Sequence, residues 1–249
     1  MKPHRLNAPA APAGIGAARP TLRGSAIRPA PMALSAVAVA ALGVVVAPRA
    51  VADAGCAPGG PPPGAAIKDV GDVYGQPATL WITRQWPTIL GITTTQGTGQ
   101  IAVHDPSPLN RTALLVDAQR DGNHQIIVDT GRDARLYTVS GCTITEVVDQ
   151  QGASFLFDVG HRQGNGDGIG CSDLSDGRHL VGLLQLRDQE DKPLWIVRRT
   201  EIDLNGATAT IGRSDAVTAT SDQDPTWTTA GDISCGDLTI ARDGVQEPY

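Results

Sequence analysis

The stretches DAQRDGNHQIIV (117–128) and DLSDGRHLVGL (173–183) decide the reading of the fold. With one deletion they align: Asp, a polar position, Asp-Gly-x-His, then an apolar run. Asp-Gly is a turn dipeptide, and an Ile/Val run behind it reads as a strand leaving that turn. Each copy follows an apolar segment. Each is followed by a second strand pair, ARLYTVSGCTITEVV (134–148) after the first and PLWIVRRTEIDL (193–204) after the second. Asp121 and Asp176 stand 55 residues apart. A four-stranded unit recurring at about 50 residues has the spacing of propeller blades.

Outward from these copies the pattern continues. Short runs at 78–83, 89–94, 100–104, 113–117, 125–129, 135–139, 143–148, 154–158, 180–186, 193–203, 207–212 and 233–241 are rich in Ile, Val, Thr and Tyr, with turn residues between them. No stretch shows a 3.6-residue apolar period. Residues 77–249 are therefore expected to form an all-β repeat domain: a propeller or partial propeller of four-stranded repeats, or a β-sandwich or barrel. A closed propeller takes at least about four blades. Only two units are readable, so an open array, a sandwich or a barrel stays in play.

Charge order divides the chain. Residues 1–31 carry Lys2, Arg5, Arg19, Arg23 and Arg28, and the first carboxylate is Asp53. Between them, MALSAVAVAALGVVVA (32–47) is uncharged, and Ala52-Asp53-Ala54 follows. A basic start, an apolar core and a small-x-small site are the parts of a secretory signal peptide, read here as residues 1–54. The apolar core is shorter than the roughly 20 residues of a spanning helix. Residues 55–76 are rich in Pro and Gly and read as a linker. Cys56 follows Ala54-Gly55, which marks it as a lipidation candidate, although Asp53 stands where such sites carry an apolar residue. Cys142, Cys171 and Cys235 are the disulfide candidates, with one bridge expected among them in an exported chain.

After residue 54, 14 basic residues face 25 acidic ones, a net charge of −11. That disfavours nucleic acid, whose binding needs a basic surface. It equally disfavours anionic lipid, so membrane contact is expected only through a lipid at Cys56. Of those 25 carboxylates 21 are Asp. Asp favours turns, where it bonds nearby amides, and such turns are also where hard cations bind.

The Asp-x-x-x-Asp-Gly loops between strands resemble the FG-GAP or VCBS repeats of exported bacterial proteins and integrin α-chain propellers. The resemblance covers roughly residues 100–200. It implies a calcium loop on a propeller blade, with Asp117 at position one, Gln119 at three, Asp121 at five, Gly122 at the turn, the Asn123 carbonyl and Gln125 at nine. Only two of these ligands are carboxylates, so calcium is expected to bind weakly or not at all. In the second copy one residue before Asp176 is missing and Ser175 takes position three, which reads as a relic turn. The plain reading of both loops is an Asp-capped turn.

No GxSxG, P-loop, dinucleotide fingerprint or HExxH occurs. The stretch Gly164 to Gly170 reads as a loop. His124 and His179 fall at matching repeat positions and are expected to pack alike. Trp81, Trp86, Trp195 and Trp227 are core or sheet-edge residues, or a sugar platform. The expected function is an exported, non-catalytic binding or structural module of the cell envelope or extracellular space, with a protein or glycan ligand. A hydrolase or lyase acting on extracellular carbohydrate, and a lipid-anchored accessory subunit at the outer face of the cytoplasmic membrane, are the alternatives. No cofactor beyond the weak calcium is expected.

Overall fold

The computed structural model describes residues 56–159, 166–188 and 194–249. The expected signal peptide, His161 and the Gly164–Asn165 part of the glycine-rich stretch lie outside the described residues. The chain is all-β, 59% strand and 6% helix, in several antiparallel sheets of which none is closed.

The first sheet is a meander of β1 (Ala66–Val73), β2 (Gln76–Ile82), β3 (Thr88–Thr94) and β4 (Gly97–Val103). The second runs through β5 (Thr112–Val116), β6 (His124–Asp129), β7 (Asp133–Ser140) and β8 (Thr143–Glu146), with β9 (Leu156–Asp158) pairing the start of β7. The third is a meander of long strands, β10 (Asp167–Leu174), β11 (Gly177–Asp188), β12 (Leu194–Asn205) and β13 (Thr208–Ala219). The return path holds α1 (Pro225–Thr228), a 3-10 turn (Thr229–Gly231), a two-stranded hairpin of β14 (Ser234–Cys235) and β15 (Leu238–Thr239), then α2 (Ile240–Asp243) and β16 (Val245–Gln246). Strand β16 pairs with β5, so the chain end closes onto the middle sheet.

Side-chain alternation explains the layering. Ala113, Leu115, Ile126, Val128, Tyr137 and Val139 of the middle sheet pack with Leu80, Ile82, Leu90 and Ile92 of the first. Their neighbours Leu114, Val116, Ile127 and Leu136 point the other way, against Ile169, Leu180 and Ile202 of the third. The middle sheet is thus buried on both faces, which is why 113–116 and 126–128 read as unbroken apolar runs. The outer sheets bury one face each. Three four-stranded meanders therefore stack as an open sandwich, and the sandwich alternative fits this arrangement. Both quoted copies occupy the first hairpin of their meander, the β5–β6 loop and the β10–β11 turn. The first sheet has a turn at the same place, Tyr74-Gly75, which carries no Asp-Gly.

Several expectations change. The linker reading of 55–76 gives way to structure: Ala57 exchanges hydrogen bonds with Thr98 at 2.9 Å each way, and β1 fills Ala66–Val73. An edge strand with one solvated face needs few apolar residues, so composition hid it. Cys56 bonds Cys142, and Cys171 bonds Cys235. One bridge thus lies among the three candidates, while Cys142 takes its partner from outside them. A thioether-linked lipid would need the same Cys56 sulfur, so the bridged form is not lipidated there. Asp167 to Gly170 of the glycine-rich stretch belong to β10 rather than to a loop. A Cβ on Gly168 would stand 2.4 Å from the carbonyl oxygens of both Ala230 and Asp232. That glycine lets the return path cross the strand. Among the described residues no helix is long and apolar enough to cross a membrane.

Candidate functional site

The β5–β6 loop holds the expected calcium ligands, and its geometry is that of a capped turn. Asp117 accepts from the Asp121 amide at 3.1 Å and the Gly122 amide at 2.9 Å. Asp121 accepts from the Asn123 amide at 2.9 Å and from Asn123 Nδ2 at 2.8 Å. Those donors, the Asn123 amide first, hold the Asp121 carboxyl below its usual range. Gln125 accepts from the Ala118 amide at 3.1 Å and donates to the Asn123 carbonyl at 2.9 Å. Gln119 is exposed beside them. The loop brings the five residues together, with amide hydrogens engaging both carboxylates.

The two matched histidines do different things. His124 Nδ1 meets the Gly122 carbonyl at 2.9 Å, and its ring lies edge-on to Tyr74 with centroids 5.4 Å apart. His179 sits between two carboxylates on the outer face of the third sheet: Nδ1 is 2.7 Å from Glu201 Oε1, and Nε2 is 2.9 Å from Asp176 Oδ1. The shorter second loop is the cause. It leaves a two-residue turn, Ser175-Asp176, that folds Asp176 back onto its own strand. Glu201 carries no sequence signal, because it reaches the site from the next strand.

A cleft opens where β9 meets the inner face of the third sheet. Its two adjoining parts, about 530 and 240 Å³, share Phe155, Leu156 and Ile211. Ile202 and Phe157 are buried, while Leu156 and Ile211 are 46% and 71% exposed at the lip. The third sheet's strands are 12 residues long against 6 for β6, so they overhang the middle layer. The overhang leaves apolar side chains with no opposing sheet. Asp158, Asp167 and Arg198 line the polar part. Burial, and then the Asp158 charge, push the Asp167 carboxyl up, while Arg198 pulls it down. Sequence reasoning missed this cleft because its residues come from three separate segments.

The tryptophans do not form a platform in the cleft. Trp81 is fully buried and Trp86 is exposed on the β2–β3 loop. Trp195 packs edge-on to Trp227 at 4.7 Å, with the Arg187 guanidinium 4.5 Å from its ring centre. No family model, curated protein or solved structure matches this chain.

Proposed function

We propose that the chain is an exported, non-catalytic binding module that takes an extended protein segment in the cleft beside β9. The observation that supports this reading most is the exposed pair Leu156 and Ile211 at the lip of a cleft whose polar end carries Asp158, Asp167 and Arg198. Solvated apolar side chains at a concave site are what a ligand's own apolar residues would cover. A protein segment suits this lining better than a glycan, which favours a free aromatic face. Export draws support from the leader-like charge order of residues 1–54 and from two disulfides, which are compatible with an extracellular location.

The test is selection of a displayed library of short random peptides on the full chain. Enriched peptides are expected to bind Leu156→Asp and Ile211→Asp at least about tenfold more weakly. No enrichment, or equal binding by both variants, would overturn the reading. The hydrolase alternative draws on the pushed-up Asp167 beside Asp158, the environment of a general acid. It predicts release of reducing sugar from cell-wall glycan, lost in Asp167→Asn. Calcium in the Asp117 loop is a subsidiary proposal, checked by whether CaCl2 raises the Tm of the full chain but not of Asp121→Asn.

A further inference from the structure

We propose that Asp176, His179 and Glu201 form a binding site for a divalent transition-metal ion, zinc foremost. The site is separate from the cleft and from the Asp117 loop. One ligand atom from each of the three residues lies within 4.8 Å of the other two.

Proton counting carries the argument. A neutral imidazole has one N–H. Both His179 nitrogens nevertheless face a carboxylate oxygen, at 2.7 and 2.9 Å. One of those contacts sets lone pair against lone pair unless a cation occupies it. Charge counting agrees: Asp176 and Glu201 carry two negative charges, and Arg213, paired with both, returns one. One further positive charge is needed, and Glu201's side chain is only 7% exposed, so water compensates it poorly. A third carboxylate adds to the field. A Cβ at Gly212 would stand 2.7 Å from Asp203 Oδ2 and 3.0 Å from Glu201 Oε2, so the bare backbone there leaves room for both acids.

The donor set selects the ion. Imidazole nitrogen with carboxylate oxygens suits zinc and its neighbours, whereas calcium asks for six to eight oxygens. Ligand atoms on a tetrahedral zinc stand roughly 3.3 Å apart. Asp176 sits on a two-residue turn and has the freedom to move back by the small distance this needs. Arg213 is 40% exposed and is the competitor that must swing aside.

The test is calorimetric titration of the metal-stripped full chain with ZnCl2 and, in parallel, CaCl2. One equivalent of zinc is expected to bind, at least about 100-fold tighter than calcium. His179→Ala should weaken zinc at least about tenfold, and His124→Ala should leave it unchanged. Arg213→Ala should tighten it roughly fivefold by removing a nearby charge. Absence of zinc binding, or equal binding by wild type and His179→Ala, overturns the proposal. Ring nitrogen NMR of the wild type keeps the test independent of variant folding. Zinc shifting the His179 signals selectively supports the site; zinc leaving both its nitrogens protonated shows an ion-pair cluster and overturns it.

Discussion

Asp224 precedes α1 and accepts from the Thr220 amide and hydroxyl at 2.8 Å each and from the Thr226 amide at 2.9 Å. These bonds, the Thr220 amide first, bring its carboxyl down to about 2. A carboxyl depressed on folding stabilises the native state above its unfolded value near 4. That contribution disappears as pH falls through about 2. Asp224→Ala should therefore lower the Tm by a few degrees at pH 7, and the gap to wild type should close in melts carried down to pH 2. Asp167 has the opposite sign. Its carboxyl is pushed up by burial and by Asp158, so its ionisation opposes folding, increasingly as pH rises past the unfolded value. Asp167→Asn should raise the Tm at pH 7 by about 1–2 °C and change it little at pH 3. Neither environment was legible in the sequence. The chain has 22 aspartates, and only their neighbours in space tell them apart.

At the scale of elements, the Asp-Gly signal located the β5–β6 and β10–β11 hairpins, and runs of Ile and Val located most strands. Two strands escaped. Strand β1 exposes much of its length, so AIKDVGDV lacks an apolar run. Strand β10 carries glycines where another segment crosses it. The expected strand at 233–241 divides into β14, β15 and α2, because Gly236 turns the chain at φ +63°. Asp117→Ala should destabilise the β5–β6 loop by about 1–2 kcal/mol with or without calcium, since it removes the acceptor for two amides. The chain end depends on a buried ionic network. Arg111 meets Glu247 at 3.3 Å and Asp105 at 3.4 Å, and Thr88 donates to Glu247 at 2.6 Å. Glu247→Ala leaves the Arg111 guanidinium buried without its main partner. It should cost about 3–5 kcal/mol in urea unfolding, with β16 the first strand to exchange its amide hydrogens.

For the molecule as a whole, the two bridges join segments 86 and 64 residues apart. In the chain-entropy picture each closes enough unfolded chain to contribute about 4 kcal/mol. Removing the second bridge with Cys171→Ser and Cys235→Ser together should lower urea stability by that order. The unreduced wild-type chain should show no thiol from Cys56, Cys142, Cys171 or Cys235 after denaturation. By itself the sequence determined the all-β class, most strand positions and the four-stranded unit, because alternation, β-branched residues and Asp-Gly turns act over a few residues. Only the tertiary structure decided that three meanders stack as open layers, that Cys56 pairs with Cys142, and that Glu201 meets His179. Those contacts join residues tens of positions apart, and they depend on which face each strand turns to its neighbour.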